Sequence, residues 1–190
     1  MYFDNLDEFE SWKTHVGVLT SCFGLNNSKI NKAIEIVEEY HNQARIIGEG
    51  NYNRHPLPVA RILIEEMKII DENSVLIALC HDLGEWSDYD VRQLNEEFGG
   101  RVFQGVNVLT WNQEGEWAAF VAKIVESNIE NLLTIKIADK LDNNRAIALS
   151  ADSEDKLKAK NKTIKTILPL VEKYYPSMLN AYREVLICLG

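Results

Sequence analysis

Apolar residues recur at helical spacing through nearly the whole chain, and that periodicity limits most strongly what it can fold into. Ile30, Ile34, Val37 and Tyr40 fall three and four residues apart, as one face of an amphipathic helix requires. Ser28 is a candidate cap for that helix. Val59, Ile62, Leu63 and Met67 mark a second helix, entered through Pro56 and Pro58. Val75, Leu76, Ala78, Leu79 and Leu83 mark a third, with Asn73 or Ser74 as its cap. Val91, Leu94 and Phe98 give a fourth, which Gly99-Gly100 should stop. Val102, Val106 and Leu109, then Trp117, Phe120, Val121 and Ile124, then Leu133, Ile137, Leu141 and Ile147 give three more. A last long pattern runs through residues 155–189, where Pro169 and Pro176 should bend or break it. No period-two strand pattern competes. The expected fold class is all-α: a single helical bundle of about seven to nine helices over residues 1–190.

Bulk properties narrow the function. A length of 190 residues suits one domain. The formal net charge of −9 argues against a nucleic-acid polymer as partner, because such binding rests on basic surface. The same charge repels phosphorylated small molecules at long range. A phosphate substrate would therefore need a local cation or a few well-placed basic residues. Cys22, Cys80 and Cys188 fit neither a disulfide framework nor a zinc knuckle, and reduced thiols in a cytoplasmic protein are the expectation. The acidic N-terminus lacks a signal pattern, and no apolar run approaches a membrane span. Neither a membrane nor a nucleic-acid polymer is expected as partner; a homo-oligomer is compatible with the sequence.

Three segments hold polar residues where apolar ones are expected. They are Asn53-Arg54-His55-Pro56, Ala78-Leu79-Cys80-His81-Asp82-Leu83-Gly84-Glu85 and Ile137-Ala138-Asp139-Lys140-Leu141-Asp142-Asn143-Asn144-Arg145. His41 and Arg45, one helical turn apart, form a fourth set. The helix through Val75–Leu79 is apolar enough to be deep, yet His81 and Asp82 follow it directly. A buried carboxylate is expensive unless it is paired or ligates a metal. Glu85, four residues after His81, should share its face. Asp139 interrupts a second apolar helix, and Asn143 lies one turn further along. Each residue alone has an ordinary structural explanation. Two histidines and two carboxylates together make a nitrogen–oxygen site suited to a first-row divalent ion, which can activate water and polarise a phosphoryl oxygen.

These stretches resemble the hydrolase domain of stringent-response proteins, the family of the RelA/SpoT enzymes and the small alarmone hydrolases. The family's pattern is a Tyr-x-x-His-Pro loop, a His-Asp-x-x-Glu-Asp helix and an Ala-Asp-Lys-x-x-Asn helix, and the likeness covers roughly residues 30–175. The resemblance implies an all-helical HD domain that binds a divalent metal, manganese, and removes pyrophosphate from the 3′ position of guanosine tetra- or pentaphosphate. It implies His55, His81, Asp82 and Asp139 as metal ligands. Glu85 would position or activate the attacking water, and Asn143 would contact the nucleotide near the metal. Arg45, Tyr52, Trp86 and Lys140 are the further substrate-binding candidates.

Two departures from the family pattern bear on substrate. Trp86 stands where the family has a second acid. Ile46 and Ile47 stand where it has a basic pair, with Arg45 one residue away. These keep two alternatives open: an HD phosphohydrolase of a different nucleotide, and a catalytically weak nucleotide-sensing module. Lys156, Lys158, Lys160, Lys162 and Lys165 read as a solvated helix face. Trp86, Trp111 and Trp117 read as packing residues, with base stacking as the alternative. Cys80 reads as a packed core thiol.

Overall fold

The protein is described here from a computed structural model covering residues 6–40, 46–47, 50–51, 55–111 and 116–190. Helices account for its architecture, as the apolar periodicity requires. In chain order they are α1 (Leu6–Cys22), α2 (Asn27–Tyr40), α3 (Pro56–Arg61), α4 (Glu72–Cys80), α5 (Leu83–Trp86), α6 (Leu94–Phe98), α7 (Gly100–Leu109), α8 (Trp117–Glu126), α9 (Leu132–Leu149), α10 (Ser153–Lys162), α11 (Leu168–Tyr174) and α12 (Leu179–Cys188). A two-residue antiparallel ladder, β1 (Ile46–Ile47) with β2 (Gly50–Asn51), interrupts them between α2 and α3. None of the helices among the described residues is long and apolar enough to cross a membrane.

The helical segments outnumber the expected seven to nine for local reasons. A π turn (Ile62–Glu66) continues α3, and another (Thr163–Ile167) joins α10 to α11. The second wide turn sits just before Pro169, whose ring would clash with a regular α-helical turn, so this proline is absorbed rather than breaking the helix. Pro176 does end it, opening a short 3-10 turn before α12. Gly99, at φ +94, separates α6 from α7 in a conformation that favours glycine. Helix α1 has too weak an apolar stripe for periodicity to mark it, yet Val16 and Thr20 are fully buried where it packs on α2 and α3.

Two caps also differ from expectation. Asn26 rather than Ser28 caps α2, its Oδ1 accepting from the amides of Ser28 and Lys29. Asp71 rather than Asn73 or Ser74 caps α4, accepting from the Ser74 amide at 2.8 Å.

Helices α4 and α9 form the centre. From Ser74 to Cys80 every residue of α4 is buried, the mark of a helix covered all round. Helices α2, α3, α7 and α9 pack against it. Helix α9 is in turn flanked by α3, α8, α10 and α12. Because α4 and α9 lie inside the bundle, any polar residue on their facing sides is held away from water.

Candidate metal centre

His81 is the first residue beyond α4 and Asp82 the last before α5. Both keep right-handed helical dihedrals (φ −60, ψ −28 and φ −96, ψ −5), but they form a joint rather than one continuous helix. The Asp82 carbonyl accepts from both the Glu85 and Trp86 amides at 3.0 Å, which starts α5. The expectation that His81 and Glu85 share one helical face is therefore corrected. Glu85 reaches the same cavity as Asp82, but from a separate short helix. His55 caps α3 in a right-handed helical conformation that a following proline disfavours. It is held there between the buried start of α3 and helix α9.

The structure brings His55, His81, Asp82 and Asp139 into one buried cluster, each at most 5% exposed. His55, His81 and Asp82 each offer one ligand atom, all within 4.8 Å of one another. Asp139 Oδ1 lies 3.0 Å from His55 Nε2 and 4.0 Å from His81 Nε2. His81 Nε2 is 3.1 Å from Asp82 Oδ1. Donors sharing an ion at about 2.1 Å stand roughly 3–4 Å apart, so this spacing fits. The ring orientation fits as well. His81 Nδ1 bonds to the Ala78 carbonyl at 2.7 Å, which fixes its proton there. Its Nε2 is buried and makes no hydrogen bond, leaving a lone pair aimed into the cluster.

Charge points the same way. Asp82, Asp139 and Asp142 are buried and Glu85 half-buried, against the cations Lys136 and Lys140. Burial would raise the Asp139 pKa, but Lys136 at 2.9 Å and Lys140 at 3.1 Å outweigh it and hold the carboxyl well below its ordinary range. Burial would lower the His55 pKa, yet hydrogen bonds to Asp139 and Asp142 push it up to about 10. In the metal-free protein a proton on His55 thus offsets part of the carboxylate charge. A divalent cation bound to neutral imidazoles would take over that role and release the proton. Burial raises Glu85 above the ordinary carboxylate value, with Lys136 opposing.

Asp82 and Asp139 of the cluster border a cavity. Asp82, Glu85, Lys136, Asp139, Lys140 and Asn143 line its polar side; Trp86, Ile147, Ala159 and Ile167 contribute apolar surface. Asn143 donates to Asp139 Oδ1 at 2.5 Å. Trp86, Lys140 and Asn143 thus all border this cavity. Trp111 and Trp117 instead pack with Phe120. Arg45, Tyr52 and His41 lie outside the described residues.

Residues overlooked by motif reading complete the site. Lys136 is 5% exposed, lies at the cavity and stands 5.5 Å from the Phe120 ring. Its signal was a lysine inside an otherwise apolar helical stripe, three residues before Asp139. Asp142 bonds to His55 Nδ1 at 2.6 Å. Lys162, read as part of a solvated face, is exposed but also borders the cavity.

No family model matches the chain. A probable GTP pyrophosphokinase of Mycobacterium leprae is 33% identical over 159 residues, covering 78% of this chain and 19% of that protein. A guanosine-3′,5′-bis(diphosphate) 3′-pyrophosphohydrolase of Aquifex aeolicus is 30% identical over 162 residues, covering 82% of this chain and 23% of that protein. The chain therefore spans only 18–23% of the length of the curated relatives it matches. A solved structure described as a metazoan ortholog of SpoT that hydrolyses ppGpp matches with a TM-score of 0.69 and 23% identity, over 85% of this chain and 96% of that one. That likeness shows the fold. In its helical architecture and its sequence relatives, this chain is similar to the HD-type domain of RelA/SpoT-like proteins.

Proposed function

We propose that this chain is a metal-dependent enzyme that removes pyrophosphate from the 3′ position of guanosine 3′-diphosphate 5′-di- or triphosphate. In this reading residues 1–190 work as one HD-type domain in the cytoplasm, and manganese is the native ion. The observation that carries it is the buried group of His55, His81 and Asp82, with Asp139 3.0 Å from His55, whose two carboxylates border a cavity that also presents Glu85. The relatives are named for both synthesis and hydrolysis of such nucleotides. Imidazole and carboxylate donors beside a carboxylate raised by burial favour the hydrolytic direction.

A divalent ion held by those four residues would make a water acidic enough to attack and would stabilise charge on a phosphoryl oxygen. Glu85 accepts the water's proton as the new oxygen–phosphorus bond forms. The bond from phosphorus to the 3′ oxygen breaks, that oxygen takes up the proton held by Glu85 to become a hydroxyl, and pyrophosphate leaves. Lys136 and Lys140 keep Asp139 ionised and place positive charge beside the transferred group. Asn143 positions the nucleotide near the metal, with Arg45, Tyr52 and Trp86 as its further contacts.

Trp86 also favours a second reading, an HD hydrolase of a different nucleotide, since an indole stands where the family carries an acid. A catalytically weak sensing module is the limiting case. Purified protein should be analysed for bound metal and then assayed with manganese against guanosine tetraphosphate, ordinary nucleotides and cyclic nucleotides. Selective release of pyrophosphate from the tetraphosphate supports the first reading. Turnover of another nucleotide supports the second, and tight binding without turnover supports a sensor.

A further inference from the structure

We propose that Asp142 is the positioning residue of the metal centre. Its carboxylate holds the Nδ1 proton of His55, so that Nε2 presents its lone pair to the ion. The inference rests on reading the cluster as a metal site.

The geometry is specific. Asp142 Oδ2 lies 2.6 Å from His55 Nδ1, and the two residues are 3% and 5% exposed. Asp139 and Asp142 are three residues apart on α9, so their side chains fall on neighbouring positions of one helical face. Asp139 meets Nε2 and Asp142 meets Nδ1. One turn of α9 therefore grips both nitrogens of a single imidazole. Asp139 is on the side of the ring that faces His81 and Asp82; Asp142 is engaged at the other nitrogen.

The two candidate histidines are oriented by different means. His81 uses a neutral backbone acceptor, the Ala78 carbonyl. His55 uses a side-chain carboxylate at 2.6 Å, which makes a stronger hydrogen bond than a backbone carbonyl and a more basic imidazole. Without Asp142 the His55 ring can carry its proton on Nε2, which closes that ligand position. Neighbouring residues of α9 are also committed elsewhere. Asn144 donates to Thr163 Oγ1 at 2.8 Å, and Arg145 pairs with Glu66. The helix is thus fastened just beyond the Asp142 contact, which leaves the carboxylate little freedom to drift from the ring. A merely structural Asp142 would add to stability and leave metal affinity alone.

The test uses the full chain. Manganese affinity is measured by calorimetry for wild type, Asp142→Asn and Asp142→Ala, alongside thermal unfolding of the metal-free forms. Asp142→Ala should weaken manganese binding by about 10–100-fold. Asp142→Asn, which keeps an acceptor oxygen without the charge, should fall in between. Activity of both should recover as manganese is raised to saturation. A folded Asp142→Ala that binds manganese as tightly as wild type overturns the inference. Should neither variant fold, the zinc-loaded wild type decides by histidine 15N NMR. His55 protonated on Nδ1 and coordinated through Nε2 supports the inference, and any other state of that ring overturns it. Failure of the wild type itself to bind any divalent ion overturns both this inference and the metal reading beneath it.

Discussion

The Trp111 backbone amide donates to Glu85 Oε1 at 2.7 Å, fastening the short helix α5 to the segment that follows α7. One carboxylate oxygen is thereby held, in a group that also lines the cavity. Glu85→Gln keeps an oxygen for Trp111 and loses the basic group. It should lower kcat by about 10²–10⁴-fold while leaving manganese affinity and thermal stability near wild type. Steady-state kinetics at saturating manganese check this, and an unimpaired kcat removes Glu85 from proton transfer.

His81→Ala removes a donor whose Nε2 lone pair is fixed by the Nδ1 bond to the Ala78 carbonyl. The purified variant should carry no manganese by elemental analysis and should hydrolyse nucleotide only at background. Wild-type turnover by this variant after metal stripping would refute metal-dependent chemistry at the cluster.

Asp139→Asn separates the electrostatic role of this residue from ligation. The neutral amide leaves the buried Lys136 and the partly buried Lys140 beside no charge at that position. Breaking such a pairing typically costs about 3–5 kcal/mol. Chemical unfolding of the metal-free protein should show a loss of that order, in addition to loss of metal binding. An unchanged midpoint would mean that the two lysines find other partners.

Gly84→Ala probes how closely α5 sits on its neighbour. A Cβ at position 84 would lie 2.5 Å from Thr110 Oγ1, which is itself anchored to the Val106 carbonyl at 2.9 Å. The clash should cost about 1–3 kcal/mol and displace the adjacent Glu85, lowering kcat as well. Adding Thr110→Ala should restore much of both losses. Additive effects in the double variant would show that the two sites do not touch.

Glu66 and Arg145 join the end of the α3 turn to α9 through contacts of 2.7 and 2.9 Å. Burial would raise the Glu66 pKa, but Arg145 outweighs it and the folded value lies below 4.5. A depressed carboxylate stabilises the fold above its unfolded pKa, and that stability is lost as pH falls through the folded one. Glu66→Gln should therefore cost about 1.5–3 kcal/mol at neutral pH. The gap from wild type should close below pH 4.5. Denaturant titrations at neutral and acid pH measure it; a gap independent of pH would assign the loss to packing instead.

The sequence by itself determined the helical class, most helix positions and the candidate ligands, because each rests on local spacing. An apolar stripe with period 3.6 says helix wherever it occurs, and a His-Asp pair after a wholly apolar stretch says buried polar site. Helix α1 stayed hidden because its stripe is weak and its burial comes from contact with α2 and α3 rather than from its own pattern. The split between α4 and α5 stayed hidden because His81 and Asp82 both keep helical dihedrals, so only the change in hydrogen bonding marks the joint. Tertiary structure alone decided that Trp86 lines the cavity while Trp111 packs with Phe120, and that Asp142 holds His55. His55 and Asp142 are 87 residues apart in the chain. No local periodicity relates two positions at that distance; their contact exists because α3 and α9 bury their apolar faces against the same central helix.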